Sequence, residues 1–184
     1  MITLVADIET DGLLPDMTTI WCLVIYDTAL DTTDSYTSSG IAEGVRRLNE
    51  ADRVVFHNGI GFDHPALAKF GYHFDISKIY DTLIASRLSD PSREGGHSLR
   101  SWGEQLGFPK GEAPFDRLSD ELIEYCKRDV ALTTKVYLKL TRSAPSPAID
   151  IEHQVAIIIA EQERNGFCFD ISKAEVLATE FYAQ

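Results

Sequence analysis

The fold of this chain is decided by residues 2–27, ITLVADIETDGLLPDMTTIWCLVIYD. Residues 2–6 and residues 18–27 are apolar and rich in side chains that favour β-structure, and Gly12 and Pro15 interrupt the sequence between them. Two such runs separated by turn-forming residues predict a pair of strands joined as a hairpin.

Beyond the hairpin the hydrophobic spacing changes to an alternation of helices and strands. The predicted elements are, in chain order, a weak strand at residues 35–37, a helix at 41–51, a strand at 53–57, a short helix opened by Asp63 and ended by Gly71, a strand at 79–80, a helix at 82–88 capped by Asp81, a helix at 98–106 and a long helix from Ser119 to about Leu140. This order predicts an α/β protein with a mixed sheet flanked by helices.

The C-terminal part is predicted to be a separate segment. Residues 141–150 have the proline and serine content of a linker, which places a domain boundary between residues 1–142 and 143–184. We expect an amphipathic helix at residues 151–164 and a strand-like stretch at 167–169. A last helix should follow, with Ser172 and Glu175 as its capping box.

The predicted helix at residues 151–164 carries an apolar stripe formed by Ile151, Val155, Ile158 and Ile159. A core formed by the first 140 or so residues does not need this stripe for its own interior. Either the stripe folds back onto the rest of the chain, or it is an exposed surface for a partner.

Composition and charge limit the classes of function. The 184 residues include 17 basic and 29 acidic side chains, a net charge of −12. Such a charge argues against a protein that coats long nucleic acid, but it allows an enzyme that binds a strand end through divalent cations. Three cysteines in no metal-binding spacing, no apolar run of roughly 20 residues and no basic leader predict a cytoplasmic protein without a membrane partner.

Two carboxylates lie at the end of the first strand. Period-2 alternation places Asp7 and Glu9 on the same side of it, where a hard cation such as Mg²⁺ or Mn²⁺ would offset their repulsion. The sequence D-I-E-T-D-G also matches the start of a calcium-binding EF-hand loop. That alternative fails because Thr18 stands where the loop needs a glutamate, and because a strand precedes it.

Two further motifs supply the remaining acidic residues. In F-H-N-G-I-G-F-D, residues 56–63, a strand gives way to a glycine-containing loop and then to Asp63. In Y-C-K-R-D, Tyr125 and Asp129 are four residues apart and share a face of the long helix. Each motif alone is consistent with ordinary turn, capping and surface chemistry.

The ordered set D-x-E, N-x-x-x-F-D and Y-x-x-x-D resembles the DEDD exonuclease superfamily in its tyrosine subgroup, over roughly residues 2–140. D-T-L-I-A-S-R-L at 81–88 and H-S-L-R-S-W-G-E-Q-L-G at 97–107 are similar to segments that accompany these motifs. Residues 150–170, with their E-R-N-G turn, resemble the start of the polymerase region in phage family A DNA polymerases.

The resemblance implies a ribonuclease H-like fold with two Mg²⁺ or Mn²⁺ ions. Asp7 would contact both ions, Glu9 and Asp129 would complete the hydrolytic site, and Asp63 would hold the second ion. Tyr125 would orient the attacking water, because an unperturbed phenol pKa near 10 makes tyrosine a poor base at neutral pH.

The implied activity is proofreading-type removal of nucleotides from single-stranded DNA 3′ ends. Substrate contacts are predicted for residues beside the acidic motifs, Thr10, Leu13, Asn58 and Phe62. A polymerase module would be the second partner, and a phage-encoded protein would act in the host cytoplasm. The alternatives are a ribonuclease D-like RNA trimmer, since the carboxylates serve either sugar, and a catalytically silent scaffold for a polymerase subunit.

Overall fold

The computed structural model describes residues 1–109, 111–142 and 147–182. Its centre is a five-stranded mixed sheet with the strand order β3-β2-β1-β4-β5. The strands are β1 (Thr3–Thr10), β2 (Ile20–Asp27), β3 (Thr32–Thr37), β4 (Arg53–Phe56) and β5 (Ile79–Asp81). The first three are antiparallel neighbours, whereas β4 and β5 run parallel to β1. The predicted hairpin and mixed α/β sheet are confirmed.

Seven α-helices surround this sheet in the described part of the chain. They are α1 (Ile41–Glu50), α2 (Asp63–Lys69), α3 (Thr82–Ser89), α4 (Leu99–Gln105), α5 (Asp120–Arg142), α6 (Pro147–Asn165) and α7 (Ile171–Tyr182), with short 3-10 turns at Ser38–Gly40 and Ile76–Lys78. The predicted caps Asp81 and Ser119 accept a backbone N–H in the first turn of α3 and α5. Ser98, predicted as the first residue of a helix, is instead the cap of α4. None of these helices is long and apolar enough to cross a membrane.

Alternation along β1 divides the core into two layers. Leu4, Ala6 and Ile8 point to the layer covered by α1 and α2. Val5 points to the opposite layer, where it packs with residues of α4 and α5. Asp7 and Glu9 follow the same period as Val5, so they belong to the face covered by α5.

The C-terminal segment differs from the sequence prediction in three places. Both ends of the predicted linker are helical, since α5 continues to Arg142 and α6 begins at Pro147; residues 143–146 lie outside the described part of the chain. No strand forms at residues 167–169. The capping box was assigned to the wrong residues, because the cap of α7 is Asp170, whose carboxylate accepts the Lys173 N–H.

Helix α6 packs against the core through a face other than the apolar stripe. His153 and Ala160 are buried, and Ala156 and Ile157 pack beside the α1–α2 layer. The apolar stripe of Ile151, Val155, Ile158 and Ile159 remains 39–59% exposed. Of the two alternatives left open by the sequence, the structure shows the exposed surface.

We expect this stripe to drive self-association, because adjacent exposed aliphatic side chains favour burial. Ile158→Asp should weaken the association by placing a charge in the stripe, whereas Gln154→Asp adds the same charge at another exposed position of α6. Light scattering over a concentration series measures the effect. A monomeric wild-type chain at every concentration would contradict the prediction.

Candidate active site

The end of β1 presents two acidic side chains to α5. Asp7 pairs with Val24 of β2, and Glu9 pairs with Cys22, before a bulge interrupts the ladder between Glu9 and Thr10. Asp7 is half-buried and Glu9 is only 9% exposed. The strand therefore fixes both carboxylates where little solvent screens their mutual repulsion.

A tight loop follows β4 and leads to the third acidic residue. Asn58 adopts a left-handed conformation with φ of 70°, and a Cβ on Gly59 would lie 2.3 Å from Cβ of Phe56. The loop closes on itself through a hydrogen bond from the Phe62 N–H to the Asn58 carbonyl, 2.9 Å long. Position 58 thus favours asparagine, which tolerates a positive φ, and position 59 has no room for a side chain and requires glycine.

Asp63 is the first residue of α2, but its side chain does not cap that helix. One carboxylate oxygen, Oδ1, accepts the Ile8 N–H of β1 at 3.2 Å. The side chain is only 3% exposed, and burial raises the pKa of Asp63 to about 7, with the negative charge of Asp81 acting in the same direction. The N-cap interpretation allowed by the sequence is replaced by a long-range contact to the central strand.

Helix α5 supplies the remaining groups from the opposite side. Asp129 is buried and Tyr125 is half-buried, one helical turn apart. Between them, the Cys126 thiol lies 3.5 Å from both the carbonyl oxygen and Oδ2 of Asp7. The Tyr125 ring meets Phe115 edge-on at 5.3 Å, and the Trp21 indole N–H donates to the Phe115 carbonyl.

These elements enclose one cavity of about 200 Å³. It is lined by all five predicted catalytic residues and by four neighbours: Asp7, Glu9, Asp63, Tyr125 and Asp129, with Ile8, His57, Asn58 and Phe62. Residues more than 120 positions apart in sequence therefore converge on a single acidic site.

The four predicted substrate-contact residues are placed differently. Asn58 and Phe62 line the cavity, whereas Thr10 and Leu13 lie outside its lining. The Thr10 hydroxyl donates to the Gly12 carbonyl at 2.8 Å, and Leu13 is 71% exposed. Thr10 thus has a local role in the turn, and Leu13 presents an apolar side chain to solvent.

Sequence reasoning missed two residues of this site. His57 follows an apolar strand, a position typical of an interior histidine, and its Nδ1 does pair with the Thr82 hydroxyl at 2.9 Å, yet the residue also lines the cavity. Cys126 lies within the same cluster, since ligand atoms of Asp7, Glu9 and Cys126 are all within 4.8 Å of one another. The motif Y-C-K-R-D contained the cysteine, but nothing in its spacing separated a site residue from a core residue.

The donor chemistry of the cavity fits hard divalent cations. Four carboxylates provide oxygen ligands, which Mg²⁺ and Mn²⁺ prefer. Burial raises the pKa of Cys126 well above its ordinary value, so its sulfur stays protonated and does not compete as a thiolate.

The EF-hand alternative stays excluded. The Asp11 carboxylate, which such a loop would use as a calcium ligand, accepts the N–H groups of Thr18 and Thr19 and stabilises the turn instead.

The buried Asp63 makes the stability of the cation-free protein depend on pH. Its folded-state pKa of about 7 exceeds the value of about 3.9 typical of unfolded chains. The stabilisation from its proton is therefore complete below about pH 4 and is lost as the pH rises through about 7. Asp63→Asn should reduce this decline, since an amide oxygen can still accept the Ile8 N–H.

Urea unfolding in a chelator at about pH 5 and about pH 8 measures the decline, with Asp16→Asn as a control at an exposed position. An equal loss of unfolding free energy in wild type and Asp63→Asn would contradict the assignment of the decline to Asp63.

Two curated relatives match nearly the whole chain. The DNA-directed DNA polymerase of Escherichia phage T7 is 30% identical over 98% of this chain and 35% of the polymerase. The corresponding polymerase of Enterobacteria phage T3 is 29% identical with the same coverage. The chain thus spans about a third of the length of the curated relatives it matches. No protein-family model matches it.

Solved structures share the fold at low sequence identity. Brucella melitensis NrnC superposes with a TM-score of 0.64 at 20% identity, over 92% of this chain and 89% of that chain. NrnC with bound Mg²⁺ and NrnC bound to pGG give TM-scores of 0.62 and 0.65, each at 21% identity and covering 92% of this chain and, respectively, 89% and 88% of those chains.

These findings confirm the fold and the relationship that the sequence motifs predicted. The sheet and its helices form a ribonuclease H-like exonuclease fold. The chain resembles a DEDD-type 3′–5′ exonuclease domain, and over 98% of its length it is similar to part of the phage T7 DNA polymerase.

Proposed function

We propose that this chain is a 3′–5′ exonuclease that hydrolyses single-stranded DNA from its 3′ end and releases nucleoside 5′-monophosphates. The observation that carries the proposal is the convergence of Asp7, Glu9, Asp63 and Asp129 with Tyr125 on one cavity. The similarity to phage DNA polymerases favours DNA as the substrate and proofreading in DNA replication as the setting.

Two Mg²⁺ or Mn²⁺ ions are the cofactors in this proposal, and the NrnC structure with bound Mg²⁺ supports a divalent cation. When bound, such ions lower the pKa of a water molecule and stabilise the leaving 3′ oxygen. Asp7 would contact both ions. Glu9 and Asp129 would complete the hydrolytic side, and Asp63 would hold the second ion, directly or through water.

The other lining residues position the reactants. Tyr125 has a half-buried phenol at the cavity, and the edge-on contact with Phe115 restricts its ring. Its hydroxyl would orient the attacking water. Asn58 and Phe62, which line the cavity, would contact the terminal nucleotide, and we assign the same role to the exposed Leu13 outside that lining.

A polymerase module is the proposed protein partner. The chain covers 35% of the phage T7 polymerase, so most of that relative lies beyond the matched region. The exposed stripe on α6 provides an aliphatic surface for such a module. The silent-scaffold alternative is not favoured, because it gives no reason for four carboxylates to converge on one cavity.

The second candidate is an RNA or short-oligonucleotide trimmer. The NrnC structure bound to pGG shows the same fold with that ligand, although at 21% identity the likeness extends to the fold alone. The carboxylate set does not distinguish the two sugars. The choice between the candidates therefore depends on the substrate assay.

The central test uses matched single-stranded DNA and RNA oligonucleotides carrying a 5′ label, with Mg²⁺ or Mn²⁺ and a chelator control. We expect stepwise shortening of DNA from the 3′ end, and its abolition in Asp7→Ala and Asp129→Ala with unchanged circular dichroism. Each variant removes a cation ligand and also relieves carboxylate repulsion, so the fold should persist.

Cleavage of RNA alone would favour the trimmer. No cleavage by the wild-type chain would favour the scaffold. Turnover near the wild-type rate in either alanine variant would overturn the assignment of that residue.

Tyr125→Phe should slow hydrolysis by roughly ten- to a thousandfold without abolishing it, the range typical of losing one group that positions a reactant. Tyr137→Phe is the matched control, because it removes a hydroxyl from α5 away from the cavity, where that oxygen meets Arg53. Single-turnover rates measure both variants. An unchanged rate in Tyr125→Phe would mean that another group orients the water.

A further inference from the structure

Helix α6 reaches the edge of the central sheet through the His153 imidazole, whose Nε2 lies 2.9 Å from the Asp81 nitrogen and 3.3 Å from the Asp81 carbonyl oxygen. His153 is 8% exposed, and its Nε2 accepts the Asp81 N–H at 2.9 Å. Strand β5 is an edge strand, so this N–H faces away from the sheet. The imidazole also packs against the Tyr80 ring, with 5.4 Å between the ring centroids. His153 thus satisfies a backbone donor that no neighbouring strand reaches.

The Asp81 side chain also binds the loop beside the active site. Its carboxylate accepts the Asn58 N–H at 2.9 Å through Oδ1 and the Ile60 N–H at 3.1 Å through Oδ2. It also accepts the Leu83 N–H and so caps α3. A single buried carboxylate therefore fixes the start of α3 and two peptide groups of the loop.

The loop in turn sets the position of Asp63. Asn58 lines the active-site cavity in a left-handed conformation, and the His64 N–H returns to the Gly59 carbonyl at 2.9 Å. Asp63 lies between these anchored positions. Its contact with the Ile8 N–H is long, 3.2 Å, so a displacement of the loop would shift this carboxylate relative to β1.

Apolar packing accompanies this polar route. Ile60 of the loop and Ala160 of α6 belong to the same buried apolar cluster, and a cavity of about 450 Å³ is lined by Ile60 and Gly61 and by Val155 and Ile159. The His153 imidazole connects α6 to Asp81, which anchors the loop.

We propose that His153, from the C-terminal segment, is a positioning residue of the active site that acts through Asp81 on residues 58–63. The proposal deepens the proposed function and rests on it for its catalytic consequence. Groups that orient metal-site side chains without touching the metal typically change metal affinity or activity by about 10- to 100-fold when mutated. The C-terminal segment would thus belong to the nuclease rather than only follow it.

The test compares three variants in the full chain. His153→Leu removes the acceptor, whereas His153→Gln keeps a side-chain oxygen that can accept the Asp81 N–H. Ile157→Ala is the matched control, because Ile157 packs α6 against the core and its aliphatic side chain cannot accept the Asp81 N–H. Thermal unfolding is recorded for each variant so that the effects are compared at similar losses of stability.

Two measurements separate positioning from general destabilisation. Hydrogen exchange of the Asn58 and Ile60 amides reports the loop directly and needs no catalysis. The rate of DNA hydrolysis as a function of Mg²⁺ or Mn²⁺ concentration reports the carboxylates. For His153→Leu we expect faster exchange of both amides, a kcat lower by about 10- to 100-fold, little change in KM and a higher cation requirement.

His153→Gln should recover most of the loss, and Ile157→Ala should show neither effect. Wild-type exchange rates in His153→Leu would overturn the proposal, as would equal effects in Ile157→Ala. If the wild-type chain hydrolyses no oligonucleotide, the proposed function fails, while the amide exchange still decides whether His153 holds the loop.

Discussion

The mutual repulsion of four carboxylates is the constraint around which this structure is organised. Asp7, Glu9, Asp63 and Asp129 share a cavity of about 200 Å³, and three of them are almost fully buried. Like charges in a poorly solvated space raise the free energy of the folded protein unless protons or cations compensate them. Burial raises the pKa of Asp63 to about 7, with the charge of Asp81 acting in the same direction, so below that pH a proton neutralises one of the four carboxylates. Divalent cations would replace the proton and convert the repulsion into binding energy.

Rigid elements maintain this unfavourable arrangement. β1 is the middle strand of the sheet and holds Asp7 and Glu9, while α5 crosses the same face with Asp129 and Tyr125. Asp63 is attached to β1 by the Ile8 N–H, and its loop is attached to Asp81. Burial of the apolar side chains in the two layers stabilises the folded chain. This stabilisation offsets the free-energy cost of holding four carboxylates in one cavity.

Sequence patterns predicted those parts that depend on local chemistry. Two apolar, β-prone runs separated by Gly12 and Pro15 predicted the hairpin, and Asp81 and Ser119 were recognised as helix caps. The ordered motifs gave the acidic residues because the resemblance covers several segments at once. Contacts between distant segments were beyond local patterns: Asp63 has the position of an N-cap, but its partner is Ile8, 55 residues earlier.

The C-terminal segment shows the same limit. Hydrophobic spacing identified α6, yet both of its faces contain aliphatic residues, and only tertiary packing selects Ala156, Ile157 and Ala160 for burial. The role of His153 depends on an unpaired edge of β5, which no sequence pattern reveals. In α7, Asp170 and Ser172 are both good caps, and the position of the Gly166 turn favours the earlier one.

The central claim is that the shared cavity exists to bind two divalent cations against a strand end. Crystals of the chain grown with Mn²⁺ and a short DNA oligonucleotide, measured at a wavelength where manganese scatters anomalously, test it most directly. The account predicts two anomalous peaks inside the cavity, both in contact with Asp7, and the 3′-terminal phosphodiester beside them. An empty cavity in crystals with ordered DNA, or manganese bound only elsewhere on the surface, would contradict it.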